Sequence, residues 1–439
     1  MTDRDDELGK ALRELEVPEH RPGFHDSLKT ELERARRPRR GRFSIPVSRW
    51  GVGLAAAAVA LIGVFVGIRG PGGTKLGPQP ANAARIAQGM ARALGEIQSL
   101  EGVLVVRDSL GGGHTMRWSF AIAANGDFRQ RQLPDQGALA YEASTGVETS
   151  GMEGSKPSVY GLRRGLAPGP PDEGPSENLL QRDFGAVTRA LLDDPSTAVH
   201  EGRYRGRGVW ILDLNGGLHL VVPEEPGDRV RVTVDRETFL PVRILETLRG
   251  KLVGEIAVLQ PRIDSADAAD FKVQIPSGSR ADRSDVGFRH MPLTSARAIV
   301  GYAPLVPARL PAGYRRAETA VARETYPTAQ GRNPISRNVV STAYRRGLNR
   351  FVVTTRLAGS NPSVWIDPIF INESVRVTPE RVSFEEGALA GRTGRVVITP
   401  GATPHVWALT DDLVVTVSGD LTRAELLEVA RSLGRLTDG

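Results

Sequence analysis

Cysteine is absent from this sequence of 439 residues. Its absence excludes disulfide bonds, so an exported domain of this chain must be held together by core burial alone. It also excludes thiolate metal sites, thiol nucleophiles and a lipid anchor attached to cysteine. A lipoprotein anchor is therefore ruled out.

Motifs of catalysis and phosphate binding are missing as well. The sequence has no H-E-x-x-H, G-x-S-x-G or G-x-x-x-x-G-K pattern, and its seven histidines are scattered along the chain. The acids Asp264, Asp267 and Asp270 lack the alternate spacing and distant glutamate of a calcium loop, so a solvated loop is the favoured interpretation. We therefore expect no enzyme activity, no cofactor and no bound metal.

Lysine is scarce. Six lysines accompany fifty-one arginines, and the formal net charge is +6. Beyond residue 70 the basic residues are spread among nearly as many acids, so the sequence predicts no nucleic-acid surface.

One long apolar run is present, from Gly51 to Ile68. As a helix its eighteen uncharged residues would span about 27 Å, close to the roughly 30 Å hydrocarbon core of a bilayer. Seven arginines lie between residues 34 and 49, whereas residues 69–84 hold one arginine and one lysine. Because basic flanks stay in the cytoplasm, we predict a transmembrane helix at 50–69, with the N-terminus inside and residues 70–439 extracytoplasmic.

Other interpretations of this run remain open. It could belong to a cleaved signal peptide, since Ala81-Asn82-Ala83 fits a cleavage site, but that site lies about fifteen residues beyond the run. It could also be a buried helix of a soluble domain, which the flanking arginines disfavour. Gly63 and Gly67 form a G-x-x-x-G pair, which predicts either a homodimer face or a chance pattern in an Ala/Gly-rich helix.

The predicted cytoplasmic tail, residues 1–49, contains two short amphipathic helices, at 5–16 and 23–36. It resembles the cytoplasmic heads of bacterial membrane-bound regulators of sigma factors. His20 and His25 are present, but the cysteines of the zinc-binding type are missing, so no zinc is expected. The tail either binds a cytoplasmic partner, lies on the membrane surface or serves only as a topogenic leader.

After a linker at 70–82, the pattern predicts an α+β domain over 83–276. A helix at 83–99 is followed by alternating strands, a helix at about 177–192 and further strands, an order that suits a curved antiparallel sheet covered by helices on one face. The predicted strands are 102–106, 116–123, 128–133, 138–142, 209–214, 218–222, 230–234, 242–247 and 252–259. Trp118, Phe120 and Ile122 alternate along the second of them, so they share one face.

A second linker is predicted at 277–290, followed by a smaller α+β domain over 291–439. The pattern predicts strands at 339–345, 350–357, 388–398 and 405–418, with helices at 294–300 and 422–433. Thr422 and Glu425 form a capping box at the start of the last helix.

The run from Val230 to Pro276 resembles the closing strands of the LolA/RseB-like superfamily, which includes the outer-membrane lipoprotein carrier and the periplasmic sigma-E regulator. The matching pattern is a D-x-E-T turn, a Leu-Pro-Val strand start and a later D-F-x-V; its residues are Asp235, Glu237, Thr238, Leu240, Pro241, Val242, Asp270, Phe271 and Val273. The resemblance covers roughly residues 83–276. The segments 310–314 (L-P-A-G-Y) and 344–348 (Y-R-R-G-L) resemble the small C-terminal domain of RseB-like proteins.

The resemblance implies a half-barrel around an apolar cavity that receives acyl chains. Trp118, Phe120 and Ile122 are candidates to line such a cavity; the alternative is that they fill an ordinary core. The expected function is that of a single-pass, RseB-like sensor or regulator in sigma-factor or envelope-stress signalling, which binds a lipid or a protein. A membrane-tethered lipid or lipoprotein carrier and a structural envelope module are the alternatives. The expected partners are the membrane, a cytoplasmic or membrane regulatory protein, and acyl lipid or lipoprotein.

Overall fold

The computed structural model describes residues 82–108, 115–133, 138–144, 147–153, 159–168, 183–217, 227–266, 271, 275, 278, 280–326, 335–360, 365, 367, 379–398 and 403–437. The described residues all lie in one compact unit of the chain, Gly77–Gly439. Among them no helix has the length and apolarity needed to cross a bilayer. The predicted membrane span, the linker at 70–81 and the two tail helices lie outside these residues.

A large sheet dominates the first part of the described chain. Its strands are β1 (Ser99–Asp108), β2 (Thr115–Ala123), β3 (Phe128–Gln132), β4 (Ala138–Ser144), β5 (Val147–Glu153), β6 (Val159–Arg164), β7 (Val199–Tyr204), β8 (Arg207–Asn215), β9 (Arg229–Asp235), β10 (Pro241–Leu248), β11 (Lys251–Ile263) and β12 (Arg280–Asp285). In the described residues their order is β12-β6-β5-β4-β3-β2-β1-β11-β10-β9-β8-β7. Neighbours are antiparallel except β6 and β12, which are parallel.

Two helices, α1 (Ala83–Glu96) and α2 (Asp183–Asp193), accompany this sheet, and we call the whole the first lobe. Helix α1 begins at Asn82, whose Oδ1 accepts a 2.9 Å hydrogen bond from the Arg85 N–H. The predicted apolar face is confirmed, since Ile86, Met90 and Leu94 are buried. The helix ends at Glu96, earlier than predicted, because β1 already starts at Ser99.

Tight turns set the register of two hairpins in the first lobe. Arg205-Gly206 joins β7 to β8, and Arg249-Gly250 joins β10 to β11. All four residues have positive φ, as a type I′ turn requires at both central positions. Such turns match the twist of antiparallel strands, which explains why an X-Gly pair stands at each site.

The second lobe contains a smaller sheet and two more helices. Its strands are β13 (Arg289–His290), β14 (Leu305–Pro307), β15 (Arg315–Tyr326), β16 (Ile335–Arg346), β17 (Asn349–Leu357), β18 (Glu380–Ser383), β19 (Thr393–Val397), β20 (His405–Leu409), β21 (Leu413–Gly419) and β22 (Leu433–Arg435). The main sheet has the order β13-β15-β16-β17-β21-β20-β19-β18, and β14 pairs with β22 beside it. The helices are α3 (Leu293–Val300) and α4 (Arg423–Arg431).

Helix α4 starts at the predicted capping box. The Thr422 hydroxyl accepts from the Glu425 N–H, and the Glu425 carboxylate accepts from the Thr422 N–H at 2.9 Å. The inner side of α4 packs into an apolar core with β17 and β21, in which Phe351, Val417 and Leu426 are fully buried. Leu433, predicted as the last helical residue, instead begins β22.

Most of the predicted strands that fall on described residues are present. The segment 405–418 forms two strands, β20 and β21, and 388–398 contains a short 3₁₀ turn before β19. Strands β5, β6, β7 and β15 were not predicted, because their apolar residues do not alternate cleanly. The α+β fold class is confirmed in the described residues.

The segment 280–285, which the sequence places in a linker, forms the edge strand β12. It carries five polar or charged residues out of six, so only its backbone pairing with β6 indicates a strand. The division of residues 83–439 into domains at 83–276 and 291–439 stays a prediction.

Candidate functional site: the covered sheet face and the lobe junction

One face of the first sheet is covered by α1 and α2. Trp118, Phe120 and Ile122 are 4%, 4% and 2% exposed and lie in one apolar cluster with both helices. The helices contribute the following buried side chains to this cluster: Ile86, Met90, Val187 and Leu191. The structure therefore brings the three predicted residues together, and side chains of the chain itself pack around them.

Trp210 places a polar atom in this covered interior. Its indole ring packs on Phe239 with 5.0 Å between ring centroids, and its buried Nε1–H has no hydrogen-bond partner among the described residues. Buried indole N–H groups usually find an acceptor. An acceptor oxygen on a ligand that reached this position would satisfy the donor.

The D-x-E-T turn after β9 is built around the Asp235 carboxylate, which is 1% exposed. Its Oδ1 accepts from the backbone N–H groups of Glu237 (3.0 Å) and Thr238 (2.9 Å) and from the Thr238 hydroxyl (3.0 Å), while Oδ2 accepts from Arg207 Nε at 2.5 Å. Burial alone would raise the pKa of Asp235, but these hydrogen bonds and the Arg207 charge hold the pKa below its usual value. The Glu237 side chain is 87% exposed, and its Oε2 lies 3.6 Å from Arg207 Nη2.

The turn also positions α1. Phe239, held at a φ of +58°, places its ring against Gly89 in the middle of that helix. A Cβ atom on Gly89 would lie 2.1 Å from Phe239 Cδ1, so only glycine allows this approach. The D-x-E-T turn, which carries part of the sequence resemblance, is therefore a structural feature that holds α1 on the sheet.

Two grooves lie on the first lobe near the Gln260 end of β11. One, of about 480 Å³, is lined by residues that include Glu101, Arg129 and Arg262; the other, of about 370 Å³, includes Tyr204 and Arg207. Their charges are largely paired. Arg262 donates to Glu101 at 2.6 Å, and Arg207 is bound to Asp235.

The two lobes meet at the β16–β17 hairpin. Leu348, at the tip of this second-lobe hairpin, is 4% exposed and lies in the apolar core of the first lobe. Its N–H donates a 2.9 Å hydrogen bond to the Leu94 carbonyl at the end of α1. Gly347 has a φ of +53°, and a Cβ atom there would lie 2.6 Å from the Leu94 oxygen. We call Gly347 and Leu348 the plug.

The two segments that resemble the RseB-like C-terminal domain meet behind the plug. The Arg346 guanidinium lies 4.6 Å from the centre of the Tyr314 ring, and its Nη1 donates to the Ala312 carbonyl at 3.2 Å. The Tyr314 hydroxyl donates to the Asp420 carbonyl at 2.7 Å, and its ring packs edge-on against Phe351. The two segments are therefore parts of one structure that supports the junction.

Buried charges from both lobes face each other beside the plug. Arg189 of α2 and Asp420 of the second lobe both approach the Cα of Gly185, and Asp420 accepts from the Arg350 N–H at 3.2 Å. Burial lowers the pKa of Arg189 and raises the pKa of Asp420, while the attraction between the two opposes both shifts. Arg350 opposes the shift of Asp420 more strongly than Arg189 does, and Asp193 also acts on Arg189, so the two charges belong to a larger buried network.

Among the described residues, no three His, Cys, Asp or Glu side chains are grouped as metal ligands. Asp264 Oδ1 accepts from the N–H groups of Gln98 and Ser99, so this carboxylate caps the start of β1. Asp267 and Asp270 lie outside the described residues, as do Gly63 and Gly67. The solvated-loop interpretation of the three acids and the dimer interpretation of the two glycines therefore stay predictions.

His405 and Asp367 form a fully buried pair in the second lobe. His405 Nε2 lies 2.9 Å from Asp367 Oδ2, and Nδ1 lies 2.7 Å from the Thr403 carbonyl. With exposures of 0% and 1%, the two side chains are closed off from solvent and hold the fold.

Sequence reasoning did not identify the plug or the charges around it. The available signal was a leucine at the tip of a two-residue hairpin loop, a place where polar residues are usual. Arg189, Arg350 and Asp420 gave no signal, because they are far apart in the sequence.

No family model matches the sequence, and no curated protein matches it. Comparison with solved structures returns a crystal structure of MucB in complex with MucA(peri) and the MucA/MucB complex of Pseudomonas aeruginosa. Both are 18% identical to this chain, with a TM-score of 0.28. Each match covers 81% of this chain, and it covers 100% of the first structure's chain and 99% of the second's.

Other solved structures match less than half of the chain. LprF from Mycobacterium bovis is 11% identical with a TM-score of 0.26, covering 45% of this chain and 97% of its own. A LolA superfamily protein from Nitrosomonas europaea is 12% identical with a TM-score of 0.20, covering 43% and 97%.

Proposed function

We propose that the chain is a single-pass, N-in/C-out envelope protein whose extracytoplasmic part recognises a protein partner and acts as an RseB-like regulator in sigma-factor or envelope-stress signalling. The arginine-flanked apolar run at 51–68 supports the orientation. The amphipathic tail at 1–49 supplies a segment that can carry a signal to a cytoplasmic partner.

The plug is the observation that carries this proposal. A hairpin of the second lobe enters the core of the first, so the relative position of the lobes is set by a small, well-defined contact. A protein that touches both lobes can sense or alter that position, whereas a simple carrier of small ligands needs one lobe only. The helices and side chains that already fill the covered face of the first sheet support protein recognition further.

In-cell cross-linking of the full-length chain tests the proposal. We expect one envelope or membrane regulatory protein to be cross-linked to the wild type and to the Leu357→Asp control, since Leu357 is 36% exposed. Leu348→Asp should lose it, because a buried charge at the plug separates the lobes. The absence of any cross-linked regulator, together with an unchanged sigma-dependent stress response after gene deletion, would contradict the proposal.

The orientation has its own test. A phosphatase that is active only outside the cytoplasm, fused after residue 439, should be active, and the mature chain should retain its first residues. An inactive fusion, or a mature chain that starts near residue 84, would overturn the single-pass arrangement.

Lipid or lipoprotein binding is a second candidate. It is favoured by the unpartnered Nε1–H of Trp210, which lies in the same apolar interior as Trp118, Phe120 and Ile122. An ester or acid carbonyl of an acyl lipid is an acceptor of the right kind for this donor.

Native mass spectrometry of the full-length chain, released gently from membranes, distinguishes the two candidates. Acyl lipid that remains bound to the wild type but is weakened in Trp210→Phe would support the carrier. Phenylalanine keeps an aromatic ring and removes the N–H donor together with part of the ring area. Lipid bound equally to both forms, or only in the detergent shell, would favour protein recognition.

A further inference from the structure

The chain crosses from the first lobe to the second along the end of β6. After β12, the Val286 N–H donates to the Arg164 carbonyl and the Phe288 N–H donates to the Gly165 carbonyl, both at 2.8 Å. A side chain makes the third contact, since His290 Nε2 lies 3.1 Å from the Leu166 carbonyl oxygen. His290 itself belongs to β13, the edge strand of the second sheet.

The other ring nitrogen of His290 faces the second lobe. Its Nδ1 lies 3.2 Å from Glu318 Oε2 on β15. A carboxylate and a backbone carbonyl are both acceptors, whereas a neutral imidazole has one N–H to donate and presents a lone pair at its other nitrogen. Only the imidazolium can donate to both neighbours at once, so this arrangement fits the charged form of His290.

The other charged side chains near the His290 ring do not take the place of Glu318 as its partner. Arg345, on β16, is bound to Glu318 and repels a charged His290, while the Arg289 guanidinium is held by Asp285 at 2.8 and 3.0 Å. The hydrogen bond to Glu318 raises the pKa of His290 above its ordinary value, against the opposing effects of burial and of Arg345. The His290 side chain is 30% exposed, so it can exchange protons with solvent.

We propose that His290 is a proton-operated latch, which as imidazolium ties Leu166 of the first lobe to Glu318 of the second and which opens that tie when it loses its proton. Because the pKa is raised in the folded chain, the latch is fully closed below the ordinary histidine pKa of about 6.5 and opens as the pH rises through the higher folded value. The proposal does not depend on which partner or ligand the protein binds.

Hydrogen exchange measured by mass spectrometry on the full-length chain in detergent micelles tests the latch. Between about pH 5.5 and about pH 8.5, a range that brackets the histidine pKa, we expect protection of the Val286 and Phe288 amides to fall several-fold as the pH rises, after correction for intrinsic exchange. His290→Gln should remove this dependence and hold protection at the high-pH level. His200→Gln, at an exposed histidine on edge strand β7, should keep the wild-type profile.

Glu318→Gln makes the test sharper. Loss of the carboxylate should move the midpoint of the transition to lower pH by roughly one unit or more, since an opposite charge at this range shifts a pKa by that amount. Unchanged protection of β9 amides in the first lobe and of β17 amides in the second shows that both lobes of each variant are folded. A flat wild-type profile, or a His290→Gln profile identical to wild type, would overturn the latch.

Discussion

At the level of single residues, the two acidic residues of the D-x-E-T motif have different roles. Asp235 and Glu237 are two residues apart in the D-x-E-T turn, yet one is buried under four hydrogen bonds and the other is exposed. In the structure this turn places the Phe239 ring against Gly89 of α1. The buried Asp235 carboxylate therefore holds the backbone of the turn in place.

Asp235→Asn should lower the free energy of unfolding at neutral pH by roughly 1–3 kcal/mol, because Arg207 loses the buried one of its two carboxylate partners and keeps only the exposed Glu237. The pKa of Asp235 is depressed in the folded chain, so its contribution is present above the unfolded pKa of about 3.9 and is lost as the pH falls through the folded value. The difference from wild type should therefore shrink in acid. Urea titrations at several pH values, followed by tryptophan fluorescence, measure it.

Glu237→Gln is the matched control for this prediction. It should change the unfolding free energy by less than about 0.5 kcal/mol, as expected of an exposed side chain. A larger effect for Glu237 than for Asp235 would show that the turn is held differently.

At the level of elements, the hairpin between β16 and β17 does more than connect two strands. Positive φ at Gly347 allows a two-residue turn, and the missing Cβ lets the turn touch the end of α1. The same turn presents the Leu348 N–H to a carbonyl that the helix end leaves unpaired. The hairpin therefore caps a helix of the other lobe.

Gly347→Ala should lower the free energy of unfolding by roughly 2–5 kcal/mol, since backbone strain and a collision with Leu94 and Gly95 add together. Gly391→Ala is the matched control. Gly391 has a φ of +74° but open space around its Cα, so strain alone should cost roughly 1–2 kcal/mol. Equal losses in the two variants, by denaturant titration, would mean that the hairpin does not press on α1.

At the level of the whole described structure, each lobe has its own apolar core, and Leu348 of the second lobe inserts into the core of the first. Arg189 and Asp420 add a polar contact beside it, and the connector with β12 and His290 adds another at the sheet edge. Cooperation between the lobes therefore depends on a few side chains that can be changed one at a time.

Leu348→Ala should uncouple the unfolding of the lobes. Loss of a buried leucine side chain costs roughly 2–5 kcal/mol, and the loss falls on the contact between the lobes. Calorimetry should therefore show two separated transitions where the wild type shows one. Leu357→Ala, at an exposed site on β17, should leave the wild-type profile intact, and a single shifted transition in Leu348→Ala would argue against the plug.

The sequence alone determined features that depend on neighbours along the chain. The charge-free run at 51–68, the apolar face of α1, the alternation through Trp118, Phe120 and Ile122, and the capping box at Thr422 are all set by interactions within a few residues, so their periodicity or spacing could be recognised. Strands such as β12 could not be recognised from the sequence, because their pairing depends on a backbone edge supplied by another segment.

Only the tertiary structure decided which distant residues meet. Leu348 against Leu94, Arg189 near Asp420 and His290 between Leu166 and Glu318 each join segments that no local pattern relates. The physical reason is that burial and donor–acceptor matching act through space. The same hairpin, arginine or histidine has a different role according to what the fold places within about 3–4 Å of it.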